Sequence, residues 1–432
     1  MTSSSRIKQS WRTRGACAAF VLAVIAAGCS AGNDEPTIRL WAMGREGEVV
    51  SQLIPQFEKE HPGVKVQVQQ IPWTAAHEKL LTAFVGDATP DIAMLGNTWV
   101  PEFVALDALE PLDSRVAQSR DVPRSDYFQG IWDTNVVDGV TYGIPWYVDT
   151  RVLFYRSDIL ANAGCGQMPT TWASWRQCMV KIKSKMGPHQ YPLMIPLTEW
   201  PPIVILGLQA GSPLLINDGR FGGFSQPQFL KAFDFYVSLF RDSLAPALSA
   251  SEISNLYQEF ERGNIAMYIS GPWQIGEFST RLPKNMQDKW MTAPLPGVDG
   301  PGVSLAGGAS LSLFRGSRHK AEAWQLMEYL SRPDIQVQFA GLTGDLPARR
   351  EAWKDTLFAK NKYAVAFRDQ LERAVPTPKV PEWEQIATKV FEHGEPAVRG
   401  KQTPAQAMAA LDKDVNVILE KRRWLMDHKA GR

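Results

Sequence analysis

Between residues 37 and 95 the hydrophobic period switches repeatedly between two and about 3.6, and this limits the fold more than any other feature of the chain. Residues 37–42 alternate as a strand, and residues 46–61 then place Val49, Val50, Leu53, Ile54 and Phe57 at helical spacing before Pro62 and Gly63 stop the helix. Residues 64–68 read as a second strand, 75–85 as a second helix and 91–95 as a third strand. The order β-α-β-α-β requires right-handed crossovers onto a mainly parallel, doubly wound sheet. Sheets of this kind take ligands at the carboxyl ends of their strands, here near Met43 to Glu46 and near Gly96 to Trp99.

The amino terminus is a different kind of segment. Arg6, Lys8, Arg12 and Arg14 precede an apolar run over residues 16–27, which ends in Ala26-Ala27-Gly28-Cys29. A bilayer span needs roughly 20 apolar residues, so this run is too short to cross one. It resembles a bacterial lipoprotein signal, with residues 1–28 removed, Cys29 acylated and residues 29–36 left as a tether. Ala26 stands where that pattern usually has Leu, which leaves a simple secretory signal as the alternative. Either reading places the mature chain outside the cytoplasm, where ATP and nicotinamide chemistry are not sustained, and no cofactor is expected.

Of four cysteines, Cys17 lies within the signal and Cys29 at its end, leaving Cys165 and Cys178 as an expected disulfide in an oxidising compartment. Six scattered histidines and no Cys-x-x-Cys motif give no basis for a metal site. The formal charge of +1, with both signs interspersed, excludes the electrostatic footprint of a nucleic-acid binder and favours a neutral ligand. About 400 mature residues exceed one core and suit two lobes. The chain holds 15 Trp, 10 Tyr and 19 Phe, most of them expected in the core and a few at a ligand surface.

Farther along, residues 139–145 read as a turn and strand, and residues 152–155 as another strand. Thr171 is the expected N-cap of a helix, and further helices are expected over residues 226–240, 253–262, 318–330, 363–374, 383–399 and 404–421. Pro and Gly cluster between 294 and 308, the expected crossover between lobes.

Several ordered blocks carry a family resemblance. They include Phe57-Glu58-Lys59-Glu60-His61-Pro62-Gly63, Pro90-Asp91-Ile92 leading to Trp99, Leu109-Glu110-Pro111-Leu112-Asp113 and Tyr142-Gly143-Ile144-Pro145. They continue with Phe154-Tyr155-Arg156, Pro169-Thr170-Thr171-Trp172, Phe260-Glu261-Arg262-Gly263-Asn264-Ile265-Ala266-Met267 and Ser270-Gly271-Pro272-Trp273. In this order the chain resembles the extracellular solute-binding proteins of ABC sugar importers, in the maltodextrin and trehalose/maltose branch. The resemblance implies a two-lobed α/β fold of the type II periplasmic-binding-protein class. Its expected lobes are residues 37–147 with 304–348, and 148–303 with 349–432. It also implies a monomer that delivers sugar to permease subunits.

A disaccharide offers hydroxyls and a patch of C–H bonds, so its site needs an aromatic wall and planar polar groups that take hydroxyls in pairs. The resemblance places Trp273 as the stacking ring and Asp149 with Tyr147 at the first lobe crossing. It places Glu46, with Arg45 beside it, at the first strand-to-helix turn, and Arg349 at the last crossing. Where the trehalose branch has an Asp after its third strand this chain has Gly96, and Asn97 is expected to supply the amide. Where it has a Trp after Gly307-Gly308, this chain has Ala309. Gly307 and Gly308 are expected to face the ligand through their backbones, with Trp200 replacing the lost ring and Glu199 beside it as a further contact.

The expected function is therefore non-enzymatic binding of a di- or oligosaccharide, of the maltose or trehalose type. A secreted glycoside hydrolase would use carboxylates such as Glu46 and Asp149 about 5 Å apart, a spacing that sequence does not fix. Another small polyol or a glycerol phosphate is the alternative solute, although no Arg/Lys cluster suited to phosphate is evident.

Overall fold

The computed structural model describes residues 35–253 and 255–429. The expected signal, the expected lipidation position Cys29 and most of the expected tether lie outside the described residues.

The first three strands form as the alternation predicts. Thr37–Met43 pairs in parallel with Lys65–Ile71 over its full length, Thr37 opposite Lys65 and Met43 opposite Ile71. It also pairs in parallel with Ile92–Gly96. The sheet then departs from a purely parallel arrangement. Gly307–Leu313 returns from far along the chain and lies antiparallel to Ile92–Gly96 and to Ile144–Asp149, and Leu346–Pro347 adds antiparallel to the outer edge of Ile144–Asp149. This six-stranded sheet is mixed because later segments re-enter it from the opposite end.

A second sheet of four strands comprises Trp290–Ala293, Val152–Arg156, Ile265–Ser270 and Tyr191–Met194. Only residues 150 and 151 separate the end of one sheet's strand at Asp149 from the start of the other's at Val152. Farther on, Ser304–Leu305 lies in parallel with Ala374–Val375, so two further passages of the chain run side by side here.

Strand alternation divides the core. Leu153 belongs to one buried cluster, with Trp175, Met267, Phe233 and Leu411, whereas its neighbour Phe154 meets Phe278 and Trp290 and belongs to the cluster that includes the interior of the six-stranded sheet. Trp132, Trp146, Trp175, Trp290 and Trp383 are fully buried.

The helix expected over residues 46–61 is broken into Gly44–Val49, a 3-10 turn at Val50–Gln52 and Ile54–Glu60. Pro55 has no N–H to continue the ladder from the preceding turn, and it is tolerated only where a new helix starts. Thr171 caps Trp172–Lys183 with a capping box, its hydroxyl accepting from the Ser174 N–H at 3.2 Å. Pro201 and Pro202 open Pro201–Gln209, a helix that the sequence reading had not marked. Cys165 and Cys178 are joined in a disulfide with their Cα atoms 5.6 Å apart.

Candidate functional site

One edge of the six-stranded sheet gathers the candidate site. The parallel strands end at Met43, Ile71 and Gly96, and Ile144–Asp149 ends at the same edge because Tyr147 and Gly96 both lie opposite Ala309. Gly307 opposes Asp149, and Leu346 opposes Val148, which brings the start of Leu346–Pro347 to that edge as well. The residues that follow or precede these ends line a cleft of about 490 Å³, within the range of small-molecule sites.

Glu46 follows the first strand by three residues and is 7% exposed. Burial raises its carboxyl above the ordinary range, against hydrogen bonding from its own backbone and from the Tyr147 and Trp73 side chains. Arg45 lines the cleft, but its guanidinium donates outward to Glu48 Oε2 at 3.1 Å and to the Leu342 carbonyl at 3.4 Å. Asn97 is buried. Its Oδ1 accepts from Ser310 Oγ at 3.0 Å, and its Nδ2 has no hydrogen-bond partner among the described residues. This donor is enclosed behind the cleft surface, and its desolvation cost is not offset among the described residues.

Asp149 is held 3.8 Å from the Arg151 guanidinium, and its Oδ1 has no hydrogen-bond partner among the described residues. Burial pushes its carboxyl up and Arg151 opposes that shift. Tyr147, buried beside it, has its phenol pushed well above its usual value by burial and by the charges of Glu46 and Asp345. Gly307 and Gly308 both line the cleft. Gly308 has φ +116°, and a Cβ there would lie 2.3 Å from the Tyr147 carbonyl, so the strand can pass Tyr147 this closely only with glycine.

Four indoles line the cleft: Trp73, Trp99, Trp200 and Trp273. Trp73 and Trp99 meet edge to face at 5.6 Å, and Trp200 stands edge-on to Trp383 at 5.7 Å. Trp273 begins the helix Trp273–Arg281 and is 40% exposed, with the Arg151 guanidinium 4.5 Å from its ring centre. Gly271 leaves room for this ring, since a Cβ there would sit 2.0 Å from it.

Glu199, the residue before Trp200, is not among the residues that line the cleft. Burial raises its carboxyl, Arg151 lowers it and Asp149 raises it further, so the three charges share one environment. Arg349 corrects the sequence reading. It is buried away from the cleft, where its guanidinium donates to Asp126 and to the Asp121 and Ser331 carbonyls. The strand Leu346–Pro347 starts at the cleft edge and runs away from it, so Asp345 lines the cleft and Arg349 lies past the strand's far end.

Sequence reading also missed Arg151, Asp345 and Trp73 as cleft residues. Arg151 is two residues after Asp149, and Trp73 stands two residues beyond the second strand's carboxyl end, so both positions carried a usable signal. Asp345 follows Gly344, the left-handed C-cap of Pro333–Thr343. Its carboxyl is pushed up to about 7 by burial and by the charge of Glu46. Among the described residues no cluster of His, Cys, Asp and Glu suits a metal ion, and no helix is long and apolar enough to cross a membrane.

Comparison with known proteins agrees with this geometry. The chain is 49% identical to the sugar-binding protein MalE of Xanthomonas citri, with a TM-score of 0.89 over 90% of this chain and 99% of that one. A putative binding protein of Brucella abortus is 26% identical over 416 residues, covering 95% of this chain and 99% of the relative. The diacetylchitobiose binding protein of Streptomyces coelicolor is 24% identical over 389 residues, covering 88% of this chain and 89% of the relative. The mixed α/β fold is that of type II periplasmic binding proteins of the MalE kind. Residues 43–337 match the model of the bacterial extracellular solute-binding proteins, and the chain belongs to that family.

Proposed function

We propose that the cleft binds a neutral di- or oligosaccharide, an α-glucoside of the maltose or trehalose type, and delivers it without chemical change to the permease of an ABC importer. The observation that carries this reading is the convergence of Trp73, Trp99, Trp200 and Trp273 with Glu46, Asp149 and Asn97 in one cavity. Indole faces suit the C–H patches of pyranose rings, and the carboxylates and amide suit hydroxyls. The description of X. citri MalE as sugar-binding and of the S. coelicolor protein as diacetylchitobiose-binding supports a sugar. Residues 37–147 with 304–348 would form one lobe and 148–303 with 349–432 the other, closing about the crossings near Asp149 and Ser304. Closure favours the liganded form by the difference in affinity between the two states. The protein would act as a monomer outside the cytoplasm, held to a membrane by an acyl chain on Cys29.

Calorimetric titration against maltose, trehalose and longer α-glucans tests the solute. Micromolar binding of at least one, with the sugar recovered intact, is expected. Binding of none, or accumulation of hydrolysis products, overturns the reading. Release of a Cys29→Ala variant from membrane fractions checks the anchor.

A further inference from the structure

Three carboxyl groups meet on one side of the cleft with too few cations. Asp345 precedes Leu346, which pairs with Val148, so it lies beside the strand end that carries Asp149. Glu46 joins them from the first strand's turn, and the charges of Glu46 and Asp149 both act on Asp345. Tyr147 feels all three.

Basic groups nearby are committed elsewhere. Arg45 turns to Glu48 and the Leu342 carbonyl, while Arg151 pairs with Asp149 and covers Trp273. Neither Glu46 nor Asp345 forms a salt bridge among the described residues. Buried carboxylates are ordinarily paired or protonated, because an unpaired charge in a recess is costly. Glu46 is relieved in part by the Tyr147 and Trp73 side chains and Asp345 by Thr343, all of them neutral, so a cation able to balance the charge of this wall would have to enter through the cleft.

Resting on the sugar-binding reading, we infer that the Glu46–Asp345–Asp149 wall selects saccharides bearing a protonated amine, with the ammonium seated between Glu46 and Asp345. The ammonium donates up to three hydrogen bonds to acceptors that a neutral hydroxyl can satisfy only one at a time. The rest of the sugar keeps the indole contacts. An anionic substituent on the same ring meets like charge and is rejected.

The test compares trehalose and maltose with their mono-amino-deoxy analogues and with trehalose phosphate, by titration calorimetry at neutral pH and low salt. At least one amino analogue is expected to bind roughly tenfold tighter than its parent, the scale of one added charge-assisted hydrogen bond. Trehalose phosphate is expected not to bind. The ratio of the two dissociation constants should fall toward one in Asp345→Asn and in Glu46→Gln, with circular dichroism verifying the fold of each. Parent sugars that bind while every amino analogue binds equally or more weakly overturn the inference and leave the sugar reading standing. A preference that survives both substitutions overturns the placement. Binding of an amino analogue alone supports the inference and replaces the neutral ligand. Binding of none of these compounds overturns both.

Discussion

Arg151 lies over Trp273 with its guanidinium 4.5 Å from the ring centre, so one face of this indole is covered by protein before any ligand arrives. A cation above an aromatic face is attracted by the ring's quadrupole, and Asp149 at 3.8 Å also steadies the guanidinium. The ring is thereby fixed in orientation while 40% of the residue stays exposed. Preorganisation of this kind lowers the ordering cost of binding.

Truncating this ring separates a ligand wall from a core residue. Trp273→Ala removes on the order of 100 Å² of contact at about 25 cal/mol/Å², or about 2.5 kcal/mol, which weakens sugar binding roughly 50-fold. The urea midpoint should move little, because the ring is not enclosed. An unchanged dissociation constant in the folded variant would remove Trp273 from the site.

Arg349 should behave in the opposite way. Its guanidinium is buried and holds Asp126 together with the Asp121 and Ser331 carbonyls. Arg349→Ala leaves the Asp126 carboxylate with the Glu351 N–H but without its cationic partner, which costs about 3–5 kcal/mol of folding stability. Sugar affinity of the molecules that remain folded should match the parent. Urea titration and calorimetry on the same preparation check both halves, and a selective loss of affinity would return Arg349 to the site.

The contrast between these two residues shows what the sequence could reveal. Local periodicity located the first three strands, the Thr171 cap and the turn that carries Glu46, because each depends on residues a few positions apart. The pairing of Gly307–Leu313 with Ile144–Asp149 joins segments about 160 residues apart, and no local pattern states which end of a later strand meets the cleft. Arg349 and Asp345 are four positions apart on one short segment, and only its antiparallel register assigns the cleft to Asp345. Ala309 brings no ring to the cleft while Trp73, Trp99 and Trp200 line it, and a sequence holding 15 Trp does not mark which of them share a cavity.

The bridge between Cys165 and Cys178 closes a short loop that ends in the helix Trp172–Lys183, and neither cysteine lines the cleft. Replacing both by serine should cost about 3 kcal/mol through the freedom regained by the unfolded chain. Sugar affinity should stay within about twofold. Thermal unfolding of the double variant, with calorimetry below the transition, reads both quantities.

Asp345 gives the sharpest dependence on pH. Its carboxyl is pushed from the ordinary value of 3.8 to about 7 by burial first and by the Glu46 charge second. Between those two values the folded protein holds a proton that the unfolded chain has released, so stability falls as pH rises through this window. Below about pH 4 both states are protonated at this position and the effect vanishes. A shift of this size corresponds to at most about 4 kcal/mol, and partial solvent access reduces the realised cost to on the order of 2 kcal/mol. Asp345→Asn cannot ionise, so the variant should be more stable than the parent above neutral pH by about that amount and no more stable near pH 4. Urea midpoints of both proteins at the two pH values decide it. Equal midpoints above neutral pH would show that the Asp345 carboxylate carries no penalty in the empty cleft.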